Sequence, residues 1–186
     1  MRSAIRGLAI AAMAAVIVIS MTGTARADMK PNSWELGALL PFVMFDDIDD
    51  ADLDDNVGVF FRGAYNITSN HEVEFTIGFV STEASAGSQS VDVEFTNWQF
   101  GYIYNFAAGE NLVPFVGGGI GRVNTSVDDF DVDEDDTVEF INGGVRWFFN
   151  ETFGLRFEGG VESVDADPDR LNNMYAGVGV SFNVGG

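Results

Sequence analysis

The chain contains no cysteine. That excludes a disulfide framework, a thiolate metal site and a cysteine nucleophile. Histidine occurs once, as His71, and lysine once, as Lys30. Basic side chains are scarce altogether, nine against 29 acids, and so acidic a product repels nucleic acid, whose backbone is itself anionic. Helical periodicity is missing too: no stretch after residue 32 keeps a 3.6-residue apolar repeat long enough for a core helix.

One long apolar run does occur, "LAIAAMAAVIVISM". It follows Arg2 and Arg6 and precedes "ARA" and Asp28. This is the order of a secretory signal with its small-residue cleavage site, and about 14 apolar residues fall short of the roughly 20 that a membrane helix needs. The expectation is a signal over residues 1–27, cleaved after Ala27, and one mature domain over 28–186. Losing Arg2, Arg6 and Arg26 leaves six basic side chains against 29 acids, a formal charge of −23.

The rest reads as extended segments of about ten residues with period-two patterning. Eight strands are expected, at 33–45, 57–66, 71–81, 92–106, 113–124, 138–149, 153–163 and 173–184. The connections after the second, fourth and sixth are short ("ITSN", "AAGENL", "NET"). Those after the first, third, fifth and seventh are longer ("DDIDDADLDDN", "TEASAGSQSV", "TSVDDFDVDEDDT", "VDADPDRLN"). In an up-and-down antiparallel barrel alternate connections share a rim, so one rim is tight and the other long and acidic, the asymmetry of outer-membrane barrels.

Each strand has an oily face and a polar one. Val73, Phe75, Ile77 and Phe79 alternate with Glu72, Glu74, Thr76 and Gly78. Phe153, Leu155, Phe157 and Val161 oppose Gly154, Arg156, Glu158, Gly160 and Glu162. A soluble, periplasmic lipid-binding barrel would show the same period. The membrane orientation is favoured by a polar face of arginine, glutamate and glycine without lysine, by aromatics at strand ends (Tyr65, Tyr104, Phe106, Trp147, Phe149, Phe153), and by the unequal rims. Hydrocarbon offers free peptide groups no partners, so a spanning sheet must close, oily side to lipid. Glu35, Arg62, Glu72, Glu74, Arg146, Arg156, Glu158 and Glu162 then share the lumen and are expected to form a satisfied ion-pair network, because an isolated charge there costs several kcal/mol. Eight strands leave room for side chains or one small ligand, whereas aqueous porins use about 16 to 18. A plugged lumen is expected.

At "LVPFVGGGIGRV" a family resemblance enters. Pro114, Phe115, Val116, Gly117, Gly119 and Gly121 form a run that resembles the mid-barrel strand of small outer-membrane β-barrel proteins of the OmpA transmembrane-domain, OmpX and opacity-protein type. The opening "WELGALLPF" and closing "MYAGVGVSF" are similar as well. The resemblance implies an all-β, eight-stranded antiparallel transmembrane barrel in the bacterial outer membrane. It also implies a structural, adhesive or surface-interaction role, with an outer-leaflet lipid-modifying enzyme as the alternative. Where such chains commonly end on an aromatic residue, Phe182 here is followed by "NVGG". Whether Arg122 or Val123 faces the lumen depends on a possible bulge among the glycines.

Catalytic signals are thin. His71 falls near the short-turn rim, away from the outer leaflet, without the serine of the histidine-serine deacylases. Glu72 and Glu74 read as lumenal neighbours, and the glycine run lacks the Lys-Ser/Thr ending and following helix of a phosphate loop. No enzyme and no resident cofactor are expected. The first and third long connections carry seven carboxylates each. Asp46, Asp47, Asp49 and Asp50, with Asp129, Asp131, Asp133 and Asp135, are hard oxygen donors dense enough to hold Ca²⁺ or Mg²⁺ and to bridge to lipopolysaccharide, although no glycine marks an EF-hand; solvated acidic loops are the plainer reading. The expected partners are outer-membrane lipid and lipopolysaccharide, with an unidentified extracellular partner and a monomeric state.

Overall fold

The computed structural model describes residues 29–46, 52–86, 89–127, 132–166 and 169–185; the expected signal over 1–27 lies outside them. These residues form β1 (Ser33–Met44), β2 (Asp52–Leu53), β3 (Asn56–Val57), β4 (Val59–Asn66), β5 (His71–Ala86), β6 (Gln89–Asn105), β7 (Leu112–Val127), β8 (Val132–Phe148), β9 (Phe153–Ala166) and β10 (Asp169–Val184). Strands β4 to β10 pair in sequence. β1 pairs with β4 on one side and β10 on the other, so eight long antiparallel strands close into a barrel. The closing seam runs from Trp34 opposite Val184 to Met44 opposite Met174. Closure gives each long strand a hydrogen-bonded neighbour on both sides, which is what hydrocarbon requires.

β2 and β3 precede β4 and continue its line in the wall toward the long-hairpin rim. Asp52 lies opposite Ser85 on β5 and Val57 opposite Phe42 on β1. The ladder breaks at Gly58 because its neighbour Pro41 has no N–H to give, although Gly58 N–H still donates to the Pro41 carbonyl at 2.9 Å.

The faces are inside-out relative to a water-soluble barrel. Phe75 and Phe157 are 43% and 37% exposed, whereas Arg156 is 2% exposed. Outward apolar runs such as Val73 to Phe79 on β5 and Trp98 to Phe106 from β6 each give way to polar outward residues at one level. Those first polar residues are Ser81, Thr96, Arg122, Glu139, Ser163 and Asn172. Below, aromatic rings contact one another along the short-turn rim: Trp34 with Tyr65, Tyr104 with Phe106, and Trp147, Phe149, Phe153 and Phe182 in succession. Such rings suit the headgroup level, where one edge is oily and the other wet.

The strands correct the expected boundaries at the other rim. β5 and β6 run on to Ala86 and from Gln89, and β9 and β10 to Ala166 and from Asp169. Most of "TEASAGSQSV" and "VDADPDRLN" is therefore paired strand, as is the end of "TSVDDFDVDEDDT". A tilted strand needs about 9–11 residues to cross a bilayer, and β6 has 17, so the hairpins project beyond the apolar band. Out there the outward face meets water and the inward face carries residues such as Thr82 and Ala84. The oily-polar contrast that marks a strand in sequence disappears while the backbone ladder persists.

The glycine-rich strand has a single phase. Its register is continuous against β6 and β8, with no bulge. Val123 points inward against Val138 and Val164, and Arg122 points outward.

Val178 lies midway up the outer face of β10, between Leu40 and Phe157. Replacing it with arginine is expected to lower folding stability in phospholipid vesicles by about 2–4 kcal/mol. A change within about 0.5 kcal/mol, the usual result at a water-facing position, would contradict the lipid-facing assignment.

Candidate functional site: the charged lumen

The lumen is filled in layers, and the period-two phase of each strand decides what each layer contains. At the short-turn mouth Met29, Ala108, Val113 and Phe148 form an apolar cluster. Met29 reaches it because the chain folds back at Asn32, whose φ is +58°. Asparagine tolerates that left-handed conformation better than most residues. Met29 N–H donates to the Ala108 carbonyl at 3.1 Å, Asn32 N–H donates to the Asn66 carbonyl, and Ser33 Oγ donates to the Lys30 carbonyl.

Above this cluster lie the charges. Arg146, fully buried, grips Glu72 with both terminal nitrogens, Nη1 at 3.0 Å and Nη2 at 2.8 Å, and Nη1 also donates to Asn105 Oδ1 at 2.7 Å. Its Nε lies 3.1 Å from Glu35 Oε1, an ion contact without hydrogen-bond alignment. Arg156 donates to Glu74 through Nη1 and Nη2 and to Glu158 through Nε at 2.7 Å. Arg62 forks onto Glu158, with Nη2 at 2.7 Å from Oε1, and reaches Glu74 at 3.4 Å. Seven of the eight lumenal charges anticipated from sequence are thus in one connected cluster: four carboxylates around three guanidiniums.

Glu162 stands apart. It is buried, and Gln99 Nε2 donates to it at 2.6 Å, with no arginine in ion-pair contact among the described residues. It sits two pleat repeats above Glu158 on β9, with Gly160 between them.

Neutral residues complete the cluster, and the sequence reading did not single them out. Tyr175 OH donates to Glu158 Oε1 at 2.6 Å, Ser181 Oγ to Glu35 at 2.8 Å, and Asn105 Nδ2 to Glu72 at 3.0 Å. The Phe115 ring takes Arg146 and Arg156 at 4.7 and 4.5 Å from its centroid, a cation–π arrangement on a desolvated ring. Gly144 makes room for it, since a Cβ there would fall 2.9 Å from Phe115 Cζ. The available signal was phase: Phe115, Asn105, Tyr175 and Ser181 all alternate in step with the charges.

Toward the long-hairpin rim the lumen turns apolar again. Leu39, Val43, Phe45, Leu53, Phe60, Val80 and Tyr175 form one cluster, and Val123, Val138 and Val164 another. These inward hydrophobes depart from the expectation of a uniformly polar inner face.

Three of the eight acidic candidates lie among the described residues. Asp47, Asp49, Asp50, Asp129 and Asp131 lie outside the described residues, and Asp133 is placed by its backbone opposite Ser126. Asp46 works at the seam: its N–H donates to Asn173 Oδ1 at 3.0 Å and its carboxylate accepts from Asn172 N–H at 3.3 Å. Asp135 accepts from Asn124 Nδ2 at 3.4 Å. Among the described residues no three His, Asp or Glu side chains are gathered as a metal ion would need. His71 sits at the short-turn rim, its Nδ1 hydrogen-bonded to the Tyr102 hydroxyl and its ring beside Tyr104. Above the apolar band, burial first and then the charges of Glu134, Asp165 and Asp135 raise the Asp136 carboxyl above the ordinary aspartate value.

Two outcomes test this electrostatic description. Arg156→Met would leave Glu74 and Glu158 short of a partner and is expected to cost about 3–5 kcal/mol in denaturant titrations of the lipid-inserted protein; a neutral result would show that the cluster does not bind the strands together. For Asp136, a folded-state value above the unfolded one means that its stabilising effect is complete below the unfolded value and is lost as pH rises through the folded one. Amide protection at Ser126 and Thr137 should therefore fall as pH rises through the aspartate range, and Asp136→Asn should flatten that dependence.

Comparison with known proteins agrees with this architecture. A family model described as "Outer membrane protein beta-barrel domain" matches residues 11–183. The N-terminal β-barrel domain of Pseudomonas aeruginosa OprF is similar, with a TM-score of 0.58 and 21% identity over 83% of this chain and 98% of that one. The outer membrane protein OprG of the same organism gives a TM-score of 0.63 and 13% identity over 87% of this chain and 100% of that one. Neisserial surface protein A gives 0.57 and 13% over 81% and 95%. At these identities the solved structures establish the fold. A search of curated protein sequences gives no significant match. The family model spans nearly the whole chain: the protein belongs to the outer membrane protein β-barrel domain family and resides in the bacterial outer membrane.

Proposed function

We propose that the protein is a non-enzymatic surface barrel whose lumen is plugged and whose acidic hairpins, on the extracellular side, do the work of interaction. The observation that carries this reading is the stacking of a guanidinium–carboxylate cluster between two apolar layers. A solute following the barrel axis would have to strip its water at Met29 and Phe148, break paired charges, and then pass Phe60 and Leu39. Each step is unfavourable, because hydrophobic constrictions dewet and buried ion pairs are costly to part.

The interaction role follows from where the chain invests its length and charge. Short turns join the strands at one rim and projecting hairpins at the other, and outer-membrane barrels hold short turns in the periplasm. The hairpin rim then faces outward and displays a strongly acidic surface. Ca²⁺ or Mg²⁺ assists there by bridging carboxylates to anionic lipopolysaccharide, hard oxygens on both sides suiting hard cations.

Planar-bilayer recording of the purified mature chain tests the plug. No sustained channel is expected at neutral pH; stable conductance steps of porin size would overturn the reading.

A further inference from the structure

The described residues contain five arginines. Arg62, Arg146, Arg156 and Arg170 each pair with a carboxylate, the last with Glu139 on the outer surface. Among the described residues the Arg122 side chain has no carboxylate partner and no hydrogen bond, its backbone alone being held in the ladder, in a chain with a large excess of acids. An unpaired fixed cation in such a field has an open electrostatic demand.

Its position says what could meet that demand. Arg122 is the first polar outward residue of β7 above Ile120, and it is the single cation in the ring formed with Ser81, Thr96, Glu139, Ser163 and Asn172. Its ladder neighbours are Trp98 on β6 and Thr137 on β8. Trp98 ends the apolar run of its own strand, so an exposed indole and a free guanidinium stand opposite each other at the edge of the hydrocarbon. Indoles favour that depth, and the planar guanidinium fork matches phosphate oxygens in a two-point hydrogen bond. Glu139, the one anion of the ring, is already engaged by Arg170.

From this juxtaposition we infer that Arg122, flanked by Trp98 and Thr137, is a binding site for the phosphate of a phosphorylated outer-leaflet lipid. The acyl chains of that lipid lie along the apolar face below, over Ile120 and Trp98. Lipid headgroup and free phosphate share the chemistry, but the adjoining oily surface selects the lipid. The inference rests on the membrane-embedded reading of the barrel and adds a specific ligand class to it.

Native mass spectrometry of the full mature protein, mixed with equimolar diphosphorylated lipid A and phosphatidylcholine, tests it. The wild type should retain diphosphorylated lipid A over phosphatidylcholine. Arg122→Gln should retain about tenfold less of it, the scale of a lost charge-assisted hydrogen bond. Arg122→Lys should keep part of the retention, Lys30→Gln at the opposite rim all of it, and excess inorganic phosphate should not displace the lipid. Unchanged retention in Arg122→Gln would overturn the site, as would displacement by inorganic phosphate, which would mark a bare anion site. Gel mobility before and after boiling establishes that each variant is folded. A failure of the plugged-barrel reading would appear separately, as conductance.

Discussion

Everything in this molecule turns on where three arginines can go. Arg62, Arg146 and Arg156 come from β4, β8 and β9, and a sheet that faces hydrocarbon on one side leaves them only the lumen. In that confined space each is neutralised by carboxylates: Glu35 from β1, Glu72 and Glu74 from β5, and Glu158 from β9, which pairs with Arg62 across the lumen and with Arg156 on its own strand. The cluster therefore ties together strands that are distant around the wall. A one-residue slip in any strand would turn its charge out into lipid and its hydrophobes inward, so charge pairing and lipid exclusion enforce the same register.

The apolar layers above and below follow from the same constraint. A guanidinium–carboxylate cluster holds its geometry where water cannot compete for its hydrogen bonds, and electrostatic attraction strengthens as the local dielectric falls. Met29 and Phe148 pack on one side of it; Phe60, Leu39 and their neighbours pack on the other. With the lumen committed to holding the wall together, the surface available for contact with other molecules is the projecting hairpins and the lipid-facing band. Lipid-facing hydrophobes and lumenal charges are thus two consequences of one closed ladder.

Much of this was legible in the sequence because alternation is a strong signal where the two faces meet opposite solvents. Phe75 against Glu74, or Phe157 against Arg156, placed oil and charge on opposite sides with no knowledge of the partner strands. The upper hairpins were hard to read for the reciprocal reason: over Thr82 to Ala86 the inward Thr82 and Ala84 and the outward Glu83 and Ser85 are all small or polar, so the two faces differ little. Pairwise contacts were less legible still. Glu162 carries the same charge and phase as Glu158, yet its height on β9 sets it beside Gln99. The inward Phe60, Phe115 and Tyr175 show that a lumen is graded along its axis, a third dimension that period two does not encode. The phase of Arg122 and Val123 required the ladder itself, since a single bulge among the glycines would have exchanged them.

The central claim is that oil faces outward and charge inward, and solid-state NMR of the protein in lipid bilayers tests it most directly. Magnetisation transferred from acyl-chain protons should reach the rings of Phe75 and Phe157, and the guanidinium nitrogens of Arg156 should correlate with the Glu74 and Glu158 carboxyl carbons. Acyl-chain contact missing from both rings, together with Arg156 nitrogens correlating only with bulk water, would contradict the account.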